Sequence, residues 1–382
     1  MKMDYKNEHP LTKVYWLTYF WLIFSIIFVG DFQVPQYGYY GFWIVVIIGL
    51  PFLIRPKSII LLYATLSGPL ALIVLFGITY KNIDEAYYQA PLFSVISVIY
   101  LGKLKILLES PRKDVYLSTV SLLLFFFVFL LLSDSSSSRT SMVFGPTILY
   151  RVILFFYAYC LIYLLHHDRT FTAIAITCIT FYAVLKIGSR GGIIAIGVIW
   201  LILIIRYLSI NFLIKMLVAL MLLWYFLDWE EIFSSRAFYF SSDSESTNIR
   251  LDKLSMVEQF LNSKEIWFGM SNPSALVGNY PHNIFAEILI YHGLIAFGIF
   301  FVLNMISLYI VFRNFSQKKW IFNFALLFAP IFVGAQFSGN LLDNYFYITA
   351  MAFLIITHAS KYTTIKFSLN QKKSALCASN KF

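Results

Sequence analysis

Charge is what this sequence has little of. Asp, Glu, Lys and Arg make up 13% of its 382 residues, about half the share of a soluble domain. So few charges do not cover the water-exposed surface of a chain this long, which excludes an ordinary soluble globular domain. Cysteine is scarce too. Of the three, Cys160 and Cys178 fall in apolar segments and Cys377 in the C-terminal tail, which argues against a disulfide framework. No basic run exceeds three residues, so the net charge of +10 does not mark a nucleic-acid binder; the excess Lys and Arg instead hold loops on the cytoplasmic side of a membrane. There is no glycine-rich nucleotide loop, no HExxH and no cysteine metal cluster. Asp243-Ser-Glu245 is the sole acidic pair of metal-binding type, and it reads as a solvated turn. No internal repeat is visible, and Ser133 to Arg139 is a short low-complexity loop. Lys2, Lys6 and Lys13 precede an apolar run without a small-residue cleavage site, which predicts an uncleaved signal anchor.

What is abundant is apolar and aromatic. Hydrophobic residues reach 60%, aromatics 19%, and there are 39 Phe, giving a mean hydropathy of +0.76. The apolar residues come in runs of about 16 to 22, enough to cross a hydrocarbon core of about 30 Å. Spans are expected at 14–30, 38–54, 58–79, 87–101, 115–132, 147–165, 171–187, 191–208, 210–227, 283–312, 320–338 and 345–358. The span at 87–101 is short and contains Pro91, whereas 283–312 is long enough to begin outside the membrane or to tilt. The expected fold is therefore all-α: a polytopic membrane protein of about twelve helices forming a single domain over 1–382.

Charge in the loops orients the spans. With the N-terminus inside, twenty of the 29 Lys and Arg fall inside, five of them in a cytoplasmic tail at 359–382, while fourteen of the 19 Asp and Glu fall outside. Both termini are then cytoplasmic, and the longest loop, 228–282, is periplasmic. In it Leu251, Leu254, Val257 and Leu261 recur at helical spacing, as in an amphipathic helix resting on the membrane surface.

Charges at the outer face carry the functional signal, because the spans are nearly free of them. In Gly188-Ser-Arg-Gly-Gly192, glycines allow a tight turn, and Arg190 at the mouth of the next helix offers a planar fork to phosphate oxygens; the plainer alternative is a snorkelling side chain at a tight connection. Arg250, in Asn248-Ile-Arg-Leu-Asp252, is either a second phosphate contact or a solvated partner of Asp252. Arg139 and Arg151 flank Phe144-Gly-Pro-Thr-Ile-Leu-Tyr150 and either reach an anionic substrate or pair with Asp134. His282 is the one histidine assigned outside. If Pro281 begins the helix, His282 lies in its first turn, where the positive helix end keeps the imidazole neutral and able to accept a proton; the alternative is a ring packed on Tyr280. Glu287 then shares a face with Asn283 rather than with His282, and His292, deeper in the span, reads as a core residue.

In order and sidedness these motifs resemble the O-antigen polymerase and O-antigen ligase superfamily of bacterial envelope glycosyltransferases. The resemblance runs over about 139–300: Phe144 to Arg151, the Gly-Ser-Arg-Gly-Gly opening a span, the outside loop with Arg250, then Trp267-Phe-Gly269, Pro281-His-Asn283 and Gly293. It implies a membrane-embedded glycosyltransferase fold in the bacterial inner membrane, acting on sugar chains linked to undecaprenyl diphosphate, with no cofactor, nucleotide sugar or metal. By the same resemblance His282 is the base, Arg190 and Arg250 grip the diphosphate, and Arg139, Arg151, Asn283 and Glu287 line the substrate site. A chain-length regulator protein is the expected partner, beside membrane lipid. Polymerase is the leading reading, ligation to lipid A–core the alternative, and a lipid-linked oligosaccharide flippase the rival of another class.

The orientation is testable by labelling. Single cysteines at Ser136, Ser244 and Gly339 should react with a membrane-impermeant thiol reagent in whole cells, and one at Ser316 only after lysis. Labelling at Ser316 in intact cells would invert the topology.

Overall fold

The computed structural model describes residues 107–132, 146–207, 255–270, 283–316 and 319–337, with isolated positions in 101–105, 214–225 and 344–358. All regular structure among the described residues is helical. The six long helices are α1 (Lys113–Leu132), α2 (Pro146–His166), α3 (Thr170–Ile187), α4 (Arg190–Tyr207), α5 (Ile284–Asn314) and α6 (Lys319–Phe337). They coincide with six of the expected spans to within about two residues, because uninterrupted apolar runs fix helices where lipid leaves backbone groups no other partner. Five of them, α2 to α6, are long and apolar enough to cross a membrane. A further helical stretch at 347–358 falls within the expected last span. The expected spans at 14–30, 38–54 and 58–79 lie outside the described residues, as do nearly all of 87–101 and 210–227.

Burial sorts the helices. In α2 every residue from Leu149 to Leu164 is buried, so this helix is the axis of the bundle. The lower part of α5 is different: Phe300, Asn304, Ser307 and Ile310 are buried at helical spacing, and the opposite face is exposed. Polar side chains tie the helices together, as expected where the hydrophobic effect cannot. The Tyr157 hydroxyl of α2 meets Thr177 Oγ1 of α3 at 2.9 Å and accepts from Trp200 Nε1 of α4 at 3.2 Å. Asn323 Nδ2 of α6 donates to the Leu108 carbonyl at 2.7 Å, and Tyr347 Oη donates to Asn304 Oδ1.

The helix ends sort by charge. At one end Arg112 pairs with Asp114, Lys319 Nζ lies 3.1 Å from His166 Nδ1, and Arg206 donates to the Ser316 carbonyl at 2.9 Å. Lys105 stacks over the Trp320 ring at the same end, and Asp168 makes the α2–α3 turn with φ 55°, a conformation Asp tolerates better than most residues. At the opposite end the six helices carry Arg151, Lys186, Arg190 and Glu287. The helices meet antiparallel, in the alternation that the loop charges predict.

Close approach of α4 to α2 depends on two glycines. An ideal Cβ on Gly191 would lie 2.8 Å from Tyr150 Oη, and one on Gly192 would lie 2.9 Å from Val184 Cγ1 and 3.1 Å from Tyr150 Cβ. Gly192→Ala should therefore destabilise the purified chain by about 1–3 kcal/mol. Gly191→Ala should cost less, because only the tip of Tyr150 must move. Tyr150→Phe should relieve the second variant and not the first, read as thermal unfolding in detergent; equal losses, both indifferent to Tyr150→Phe, would contradict this packing.

Candidate functional site

The Arg190 end of the bundle gathers the sequence candidates that can be placed. Gly188 closes α3 in the left-handed conformation, φ 67° and ψ 25°, with its amide donating to the Leu185 carbonyl. Only Ser189 then separates it from Arg190, the first residue of α4. The Gly-Ser-Arg-Gly-Gly motif is thus a helix stop, a helix start and a packing face in five residues. Arg190 is half-buried at a helix N-terminus, next to the Tyr150 ring that fits beneath Gly191 and Gly192. Arg151 follows Tyr150 on α2, so Arg190 and Arg151 stand at the same end of two neighbouring helices.

Arg151 is 4% exposed. Its Nη2 donates to the Gly334 carbonyl on α6 at 2.7 Å. A Cβ on Gly334 would come within 2.7 Å of the guanidinium carbon, so that glycine makes the room. The carbonyls of a last helical turn have no intrahelical partner, and a cation at a helix C-terminus is favoured by the dipole. The structure therefore gives Arg151 a capping role on α6, whatever else it touches.

Asn283 caps from the other side. Its Oδ1 accepts from the amides of Phe285 at 2.9 Å and Ala286 at 3.0 Å, as an N-cap of α5, while Nδ2 donates to the Gln336 carbonyl at 3.2 Å. One side chain starts α5 and finishes α6. α5 begins at Ile284 with Asn283 as its N-cap, one residue past the start of the expected span, so the condition that Pro281 begin the helix is not met, while Pro281 and His282 themselves lie outside the described residues. Glu287 does sit one turn beyond Asn283, its amide bonded to the Asn283 carbonyl at 2.9 Å, and its side chain is 2% exposed. His292, expected in the core, is buried.

The third feature is a break in α5. Gly293 has φ 79° and ψ 179°, far from helical. The amides past the break find new acceptors: Leu294 N donates to Ile266 O at 2.7 Å and Ile295 N to Trp267 O at 3.5 Å, while Met270 N donates to Ile290 O at 2.9 Å. Trp267-Phe-Gly269 and Gly293, separate in the sequence, are thus one joint. Sequence reasoning named these glycines without seeing that they meet. It missed Tyr150, Gly334 and Gln336, because a carbonyl acceptor leaves no mark on residue identity and a lone glycine in an apolar span has many readings.

Structure brings Arg190, Arg151, Asn283 and Glu287 to one end of the bundle. Arg139, Arg250 and His282 lie outside the described residues. Comparison with models of protein families, with curated proteins and with solved structures gives no match. What the fold defines is a class: an all-helical protein with five helices built to cross a membrane and a polar, cation-bearing end.

The capping role of Arg151 can be separated from substrate binding. Arg151→Ala should lower stability by about 1.5–3 kcal/mol through the lost charged hydrogen bond. Gly334→Ala should destabilise the native chain but add little in the Arg151→Ala background, since the two share one space. Additive losses in that double-mutant cycle, measured by thermal unfolding, would dissolve the contact.

Proposed function

We propose that this chain is an O-antigen polymerase: an inner-membrane enzyme of about twelve spans, both termini cytoplasmic, that transfers a polysaccharide chain from undecaprenyl diphosphate onto a lipid-linked repeat unit at the periplasmic face. The observation that carries the reading is that Arg151 and the Asn283 cap both close the end of α6, with Arg190 at the start of the adjacent α4 and the joint between Trp267-Phe-Gly269 and Gly293 further along α5 from Asn283. These are the motifs on which the family resemblance rests, and packing gives each a reason to occur together.

In this reading the acceptor hydroxyl of the repeat unit attacks the anomeric carbon of the donor chain. His282, one residue before the anchored Asn283, takes the hydroxyl proton. The bond from the anomeric carbon to the diphosphate oxygen breaks, and the leaving undecaprenyl diphosphate carries the charge that Arg190 and Arg250 neutralise. The same resemblance assigns Arg139, Arg151, Asn283 and Glu287 to the substrate site, with Arg151 and Glu287 buried and Asn283 holding the start of α5. Trapping of the diphosphate by guanidinium forks suits a planar, bidentate contact that lysine does not reproduce.

Deletion of the gene should leave lipopolysaccharide as core plus a single repeat unit. Bare core with long polymer accumulating on undecaprenyl diphosphate would assign the chain as ligase instead. Bare core with repeat units trapped on the cytoplasmic side would make it a flippase. Arg190→Ala, Arg250→Ala and His282→Ala should each abolish polymer while the protein still inserts, since one such contact is worth about 10²–10³ in rate. The purified chain with lipid-linked repeat units should make a ladder without nucleotide sugar or ATP.

A further inference from the structure

We infer that the turn at 262–270 is a membrane anchor, seated at the headgroup–acyl boundary of the leaflet on the Arg190 side, and that the hydrocarbon begins at the Gly293 break rather than at Ile284. The inference does not rest on glycosyl transfer; it needs only that α5 crosses a membrane.

The exposure of α5 locates the lipid. From Asn283 to Leu294 no residue is fully exposed. From Ile295 onward an apolar face opens, through Ile299, Val302, Met305 and Tyr309 to Phe312, and Arg313 follows. By helical rise that face is about 26 Å long, close to the hydrocarbon thickness of about 30 Å. A straight helix over all of α5 would rise about 46 Å, yet its cap Asn283 bonds to Gln336, only 17 residues along α6 from Lys319. The first ten residues of α5 therefore turn across the end of the bundle instead of extending the line of the rest.

At the upper edge of the exposed face sit Trp267 and Phe268, 55% and 67% exposed. The amide of Ile295, first residue of the lipid face, is the one that reaches Trp267 O. Behind the aromatics, Phe260 is buried against Leu289 and Ile290 and fixes helix 255–261 to α5, while Glu258, Lys264 and Glu265 are exposed on the turn and its helix. Aromatic tips beside charges are the composition of the interfacial layer.

Irregular backbone is tolerated at this depth only if its polar groups are paired, and here they are. Gly269 N and Phe268 N donate to Glu265 O, Met270 N donates across the joint to Ile290 O, and the Ile266 and Trp267 carbonyls accept from the Leu294 and Ile295 amides. Both glycines are required. A Cβ on Gly293 would lie 2.5 Å from the amide nitrogens of Phe268 and Gly269, and one on Gly269 would lie 2.7 Å from His292 N. These are backbone atoms that cannot step aside, and both positions have positive φ. Joint and anchor together set the height of Asn283 and Glu287 at the interface.

Spin labels on the full chain in phosphatidylcholine–phosphatidylglycerol nanodiscs test this, with Cys160, Cys178 and Cys377 replaced. A label at Phe268→Cys should show an oxygen-to-nickel accessibility ratio between those at Glu258→Cys, in water, and Ile299→Cys, in hydrocarbon. A ratio equal to that at Glu258 would put the turn in water and overturn the inference. A ratio equal to that at Ile299 would move the boundary outward and overturn it too, as would exclusion of both reagents, which would mean that protein covers this face. Adding Gly293→Ala should release the turn and shift the Phe268 ratio to the Glu258 value. Should that double variant not fold, the Phe268 reading in the otherwise native chain still decides.

Discussion

A membrane gives backbone carbonyls and amides no water to bond, and this constraint governs every feature at the polar end of the bundle. A helix that stops must have its last carbonyls met by something, and α6 stops under Arg151 and Asn283. A helix that breaks must have its freed amides met, and α5 breaks against the backbone of 266–270. Both solutions import a polar group from a distant part of the chain. That is why residues far apart in sequence are forced together at this end. The opposite end needs less, because its loops are short and its cations reach carbonyls and rings at the surface.

The same constraint accounts for Arg151, one N–H of whose guanidinium is committed to the Gly334 carbonyl, a tie that also fixes α2 against the end of α6. Arg190 differs. It is half-buried at a helix start, where α4 has amides rather than carbonyls to offer. A cation there opposes the helix dipole, so the helix end itself gives its charge no stabilisation.

Long apolar runs made the six helices legible, since only a helix satisfies them in lipid. Polarity of the loops made their alternation legible. The site was legible only in part. Gly188, Arg190, Gly269 and Gly293 could be named because positive φ and tight turns restrict residue choice. The partners of Arg151 and Asn283 could not, because both are backbone carbonyls, and any residue supplies one. The start of α5 at Ile284 falls one residue past the start of the expected span at 283, and Asn283 supplies its cap.

Charge placement bears on the choice between chemistry at an end and transport through the middle. Within the six described helices Asp, Glu, Lys and Arg occur only near the ends: Lys113 and Asp114, Arg151, Lys186, Arg190, Arg206, Glu287, Arg313 and Lys319. The deepest, Arg151, is about 8 Å by helical rise from the start of α2. A carrier for a charged headgroup needs polar stations through the hydrocarbon, at an expense in insertion that is tolerated only for function. The axis helix α2 has no Asp, Glu, Lys or Arg between Arg151 and His166, and its polar contacts there are the Tyr157 hydroxyl with Thr177 and Trp200 and the Tyr159 hydroxyl with the Arg112 amide. Among the described helices, charge therefore gathers at the bundle ends and leaves the axis to packing, a distribution that favours contact with a headgroup at a membrane face over passage along α2.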